Sequence, residues 1–227
     1  YAAADGAQVL GMSERIRQNT TQRLLETGQF VLEVTDPKAF SPTGLGLRSC
    51  QKVRLMHAAV RHHILKSNRW NMDWGMPVNQ EDMAGTNGAM SYVPLQGLDR
   101  LGIPYTADEA EACLHLWKVV GYLLGVETEL LPDTLRQAYA LDKKIRERHF
   151  RKSEAGTELT KALIKSFEEF LPNPLLKPMI PAYLRFMLGD ELADMLDIPA
   201  RTAPLLESVW FNSLRFANML GSSGLAF

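Results

Sequence analysis

The 227-residue sequence contains only two cysteines, Cys50 and Cys113, and they lack CxxC spacing. Neither a zinc knuckle nor a disulfide framework can be built from them, and both read as core residues. A basic excess is also missing, with 25 Lys+Arg against 26 Asp+Glu and no basic run interleaved with aromatics. A nucleic-acid role is therefore set aside. Long apolar runs are absent as well: the longest, around Leu114 to Val126, is interrupted by Lys118 and is too short to span a bilayer. No transmembrane segment is expected. There is no GxSxG, no P-loop, no GxGxxG before a strand and no HExxH, and neither His115 nor His149 has a metal-ligand partner one turn on. The usual hydrolase, nucleotide and zinc-protease chemistries thus have nothing to stand on.

What is present is a 46% hydrophobic chain of ordinary charge density, enough to bury one substantial core, so residues 1–227 read as a single domain. The sequence opens at Tyr1 rather than at methionine, so a leader or an upstream helix is expected to precede it; the compartment stays open. Apolar residues recur at the helical period, and alternating β-branched runs are scarce, which predicts an all-α fold. Helices are expected within Asp5–Gln18, from Thr20 or Thr21 to Asp36-Pro37, from a Ser49 cap to about Ser67-Asn68, and from Asn79, with Asp82 three residues on, to Pro94. Thr106 with Glu109 forms a capping box for a helix that stops at Gly125. Further helices are expected at Asp133–Phe150, Thr157–Phe170, Asn173–Leu188 and Pro204–Met219.

The chemistry concentrates in Arg54-Leu-Met-His57-Ala-Ala-Val-Arg61. On a helix, Arg54, His57 and Arg61 project from one side, together with Val53, Val60 and Ile64. Desolvation and like charge both disfavour a protonated imidazole there, leaving a neutral nitrogen that can ligate iron or zinc. The two guanidinium groups suit a buried carboxylate such as a haem propionate. Haem is therefore a physical candidate; the alternative is a hydrogen-bonded core histidine. Upstream, Arg23, Glu26 and Thr27 fall on one helix face. A cation and a hydroxyl can stabilise the partial negative charge of bound dioxygen, and a carboxylate can move a proton. A solvated face with an Arg23–Glu26 pair fits the same residues. Gly85 and Gly88 weaken the helix opened by Asn79, suggesting close approach either of a flat ligand, which Thr86 would then face, or of a neighbouring helix. His62 and His63 are expected to meet solvent.

The segments Val53-Arg-Leu-Met-His57-Ala-Ala-Val-Arg61 and Gly75-Met-Pro-Val-Asn-Gln-Glu-Asp-Met-Ala-Gly-Thr86 resemble the family of the rubber oxygenases, or latex clearing proteins, and the mycophenolic-acid oxygenase catalytic domain. The resemblance extends to Arg23-x-x-x-Thr27, to Trp117-Lys-Val-Val-Gly-Tyr-Leu-Leu-Gly-Val126 and to the Pro-rich C-terminal helices. It implies a globin-like helical core with additional helices that binds haem b. It also implies His57 as the proximal iron ligand, Arg61 as a propionate partner, and Arg23 and Thr27 on the distal side. Two departures stand out. Rubber-cleaving members carry an iron-ligating lysine immediately before the distal threonine, where this chain has Glu26. Their catalytic acid lies some turns before the arginine, where this chain reads Asp5-Gly-Ala7-Gln8, with Glu14 nearer.

These observations predict a haem b oxygenase that uses dioxygen on an apolar small molecule or polyisoprenoid and cleaves a carbon–carbon double bond. Arg23, Glu26 and Thr27 would be catalytic, and His57, Arg54, Arg61 and Thr86 would bind the cofactor. The alternatives are a non-catalytic haem sensor or carrier on the same fold and a cofactor-free helical interaction protein.

Overall fold

The computed structural model describes residues 1–12, 20–171, 173–200 and 203–222, and the described residues form helices and no named strand. In chain order these are α1 (Ala4–Met12), α2 (Thr20–Thr35), α3 (Gly46–Lys66), α4 (Gln80–Met90), α5 (Tyr92–Leu101), α6 (Ala107–Leu124), α7 (Leu135–His149), α8 (Glu154–Phe170), α9 (Met179–Leu188), α10 (Asp190–Met195) and α11 (Pro204–Ser222). The all-α expectation holds. Residues 13–18 of the expected first helix, Glu14 among them, lie outside the described residues.

Local signals set most helix ends. Thr106 and Glu109 exchange both bonds of the capping box at the start of α6, and Gly125 closes that helix with φ +89°, a left-handed conformation that glycine adopts freely. Thr134 and Gln137 make a second capping box at α7. Asn79 accepts from the Asp82 amide at the start of α4.

Other ends differ from expectation. Helix α3 begins at Gly46 rather than beyond Ser49, and Ser49 is buried, its hydroxyl donating to the Glu33 carboxylate of α2. That tertiary partner replaces the capping role. Pro94 does not end a helix. Helix α4 stops at Met90, and Pro94 lies in the first turn of α5, where a missing N–H costs little because such groups have no intrahelical partner. Residues 174–176 form a 3₁₀ turn before α9, and the short α10 was not anticipated.

Three adjoining clusters make up the core around the site. Val34 of α2, Cys50 of α3, and Trp117 and Val120 of α6 join the first two helices to the long central one. Ala84 of α4 and Ile145 of α7 meet Val126 and Leu131 beyond α6. Val9, Ile64 and Val78 close the space between α1, α3 and the start of α4. Gly85 faces Ile145, with a would-be Cβ 3.4 Å from its Cγ2, so this glycine serves helix packing.

The α4–α6 contact is tighter still. Asn87, buried in α4, donates to the Trp117 carbonyl at 2.7 Å, and a Cβ on Gly121 would lie 2.7 Å from Asn87 Nδ2 and 2.6 Å from Leu131 Cδ2. Gly121→Ala should therefore destabilise the protein by about 2 kcal/mol through overpacking and a displaced amide. For a chain of this size that corresponds to a melting temperature lower by roughly 4–8 °C. An unchanged thermal melt would show that this contact yields freely.

Candidate functional site

Helix α3 carries His57 on its half-buried face with Val53, Val60 and Arg61, while Arg54 reaches the exposed edge. The carbonyl end of α6 and the first turns of α4 close over this face. Together Arg54, His57, Ala58, Arg61, Gln80, Met83, Leu124 and Gly125 line a cavity of about 180 Å³. Arg54, His57 and Arg61, which the helical spacing placed on one side, thus meet around one space.

The imidazole is poor in polar partners. His57 Nδ1 is buried without a hydrogen bond among the described residues. Its pKa is pushed below the ordinary 6.5, first by desolvation and then by the charges of Arg23 and Arg61. Neutral imidazole with a lone pair to spare is the form that ligates a metal.

Its neighbours are each fixed by backbone. Arg61 Nε donates to Pro77 O at 3.1 Å and Nη2 to Val78 O at 2.6 Å. Arg54 Nη1 makes a long 3.4 Å bond to Leu123 O, and its guanidinium rests against Gly125, where a Cβ would stand 3.1 Å from Arg54 Cζ. Gln80 bridges the turn after α6, donating to Gly125 O at 3.0 Å and accepting from the Glu127 amide at 2.9 Å.

The upstream trio separates. Arg23 is half-buried and close enough to His57 for its charge to act on the imidazole. Thr27 is also half-buried, and its hydroxyl donates to Arg23 O at 2.9 Å. Glu26 is exposed, and its Oε1 accepts from Gln22 Nε2 at 3.0 Å. No ion pair joins Arg23 to Glu26 among the described residues. The pairing expected from their spacing is replaced by a bond to the residue one turn earlier, because Arg23 turns toward α3 while Glu26 turns to water.

Thr86 does not join the cavity either; it is exposed, and its hydroxyl bonds back to Asp82 O at 2.8 Å. Asp5 pairs with Arg151 of the segment after α7. His62 and His63 are exposed, as their positions on α3 implied.

Sequence reasoning missed Gln80, Met83, Leu124 and Gly125 as cavity residues, and Asp82 as a perturbed carboxylate. Burial raises the Asp82 pKa above the usual 3.8, with Asp5 and Glu81 adding to the rise while His149 and the Asn79 amide oppose it. The Asn79–Asp82 spacing signalled a cap, which it is; nothing local signalled that Asp82 would face Gly6 of α1, where a Cβ would lie 3.0 Å from Oδ1.

The donor set fits haem better than a bare ion. Among the described residues no three His, Cys, Asp or Glu side chains group to hold a metal, so iron at His57 needs a group that brings its own ligands. The cavity volume is below the roughly 300 Å³ at which small-molecule pockets begin, so seating a macrocycle requires mouth side chains such as Arg54 to move. A larger depression of about 390 Å³ between residues 128 and 141 is lined, among the described residues, by no histidine or arginine.

The family model described as the ER-bound oxygenase mpaB/B'/rubber oxygenase catalytic domain matches residues 2–218. The rubber oxygenase of Streptomyces sp. (strain K30) is 30% identical over 188 residues, which is 82% of this chain and 46% of that protein. The solved structure of latex clearing protein in its closed state superposes with a TM-score of 0.80 at 26% identity, covering 98% of this chain and 62% of the other. The chain thus spans about half the length of the curated relative.

The low His57 pKa has a testable sign. The unfolded chain takes up this proton near pH 6.5 and the folded one only at lower pH, so the imidazole's contribution is complete above about 6.5 and is lost as pH falls toward the depressed value. Ligand-free protein should lose stability across that interval, and His57→Gln should flatten this part of the profile. Identical pH profiles for the two proteins would contradict the buried neutral imidazole.

Proposed function

The chain belongs to the family of the mpaB and rubber oxygenase catalytic domain, and from that membership we propose that it is a haem b-dependent oxygenase acting with dioxygen on an apolar, isoprenoid-type substrate. The product would be carbonyl compounds from oxidative cleavage of a carbon–carbon double bond. The observation that carries this reading is the buried Nδ1, unpartnered among the described residues, of an imidazole whose charged form is disfavoured in a cavity between Arg54 and Arg61.

Haem, when bound, supplies the iron at which dioxygen is activated. His57 holds it through the imidazole. Arg54 and Arg61 place positive charge beside it, suited to propionate carboxylates. Arg23 is not among the residues lining the cavity, but its charge acts on His57 and would favour negative charge developing nearby. Thr27, bonded to the Arg23 carbonyl, keeps a hydroxyl one turn further along α2. Glu26 stands in water on the same helix and can exchange a proton between that face and solvent. Exposed Leu25 and Leu32 on α2 and Leu55 on α3 give these two helices apolar surface that suits a hydrocarbon.

One observation favours a second reading. Among the described residues no carboxylate lines the cavity, which is what a haem carrier or sensor without a proton-moving group would show. Oxygen-dependent turnover separates the two readings.

His57→Ala should abolish haem retention, while the wild-type protein should gain about 2.7 kcal/mol of stability at a hundredfold excess of haem over Kd. Normal haem content in the variant would remove His57 from the site. Glu26→Gln should retain haem and slow turnover of a polyisoprene or short isoprenoid; a wild-type rate would leave Glu26 as a partner of Gln22 alone.

A further inference from the structure

Three non-glycine residues among those described have left-handed backbone: Asn68, Asp197 and Val78, the last with φ +56°. Asparagine and aspartate tolerate that region, but a β-branched residue rarely enters it and does so at a cost. Val78 is nevertheless buried, packing with Val9 and Ile64 and against Val60, Trp70 and Met83. Something must hold its backbone in place.

The Arg61 fork does so, since its two bonds go to the carbonyls on either side of the Val78 amide, Pro77 O and Val78 O. The next residue, Asn79, caps α4, and the residues that follow, Gln80 and Met83, form two walls of the His57 cavity. Arg61 therefore binds the turn that sets where α4 starts, and α4 sets the shape of the cavity. Arg54, by contrast, is exposed and among the described residues holds only the long bond to Leu123 O.

Resting on the haem reading above, we propose that Arg61 is a positioning residue of the His57 centre: its guanidinium fork fastens the strained Pro77–Val78 turn and so holds Gln80 and Met83 against the imidazole, leaving Arg54 as the cation that meets the propionates. Arginine is required for this because a planar fork reaches two adjacent carbonyls at fixed spacing, whereas a lysine ammonium is a point donor. Charge and clamp are therefore separable. A propionate anchor tolerates Arg61→Lys in large part; a carbonyl clamp does not.

The test uses Arg61→Lys and Arg61→Ala, with folding of each checked by far-UV circular dichroism. In ligand-free protein, amide hydrogen exchange over residues 78–83 should rise about tenfold in both variants while α7 and α8 stay unchanged. Carbethoxylation of His57 by diethyl pyrocarbonate, followed by peptide mass spectrometry, should accelerate by a similar factor, with the exposed His62 and His63 as unchanged internal references. Haem titration should show the lysine variant weakened about as much as the alanine one. Wild-type exchange and wild-type His57 reactivity in Arg61→Lys would overturn the clamp. Faster exchange with unchanged His57 reactivity would make it structural only and overturn the positioning role. If the wild-type protein takes up no haem, the haem reading fails, and the two ligand-free measurements still decide what Arg61 does.

Discussion

An imidazole kept uncharged among arginines is the constraint on which the rest of the site depends. Desolvation does most of this, and desolvation requires that α3 be covered: by α2 through Val34, which packs with Cys50 of α3, by α6 through Trp117 and Val120, and by the start of α4 through Val78 and Met83. Arg23 and Arg61 then add repulsion of a proton from two sides. The conflict is met at the histidine, whose charged form is the one disfavoured. The same arrangement would suit the proposed ligand, metal at its centre and anionic at its edge.

How far this was legible in the sequence depended on whether an interaction was local. The Thr106–Glu109 box, the Gly125 stop and the shared face of Arg54, His57 and Arg61 involve residues within two turns of one another, and spacing alone specifies them. Ser49 illustrates the limit. Its type suits a cap, but Glu33 on another helix claims its hydroxyl and α3 starts earlier. Glu26 illustrates another: three residues from Arg23, it could pair along the helix, yet Gln22 is the partner and Arg23 faces α3. Gln80 reaches Gly125 and Glu127 across 45 and 47 positions, and no pattern in either segment announces that contact. The close approach of Asp82 to Gly6, and the bonding of Arg61 to a turn sixteen positions away, are tertiary in the same sense.

Family membership and geometry bear on different parts of the functional reading. Membership, over residues 2–218, speaks for the oxygenase class; the geometry contributes a desolvated imidazole in a cavity with Arg54 and Arg61, which supports the proposed haem. The chain departs from the lysine-bearing pattern at Glu26, whose carboxylate lies in water rather than over the cavity. Among the described residues, Arg23 is the residue of α2 whose charge acts on the His57 imidazole. Leu25 and Leu32 of α2 and Leu55 of α3 are exposed.

The visible spectrum of the purified wild-type protein, supplemented with haem and recorded before and after dithionite, tests the central claim most directly. A Soret band at one haem per chain, with a high-spin ferrous form that binds carbon monoxide without displacing a protein ligand, is the predicted result. No Soret band after supplementation, or a low-spin ferrous form with a nitrogen donor opposite His57, would contradict it.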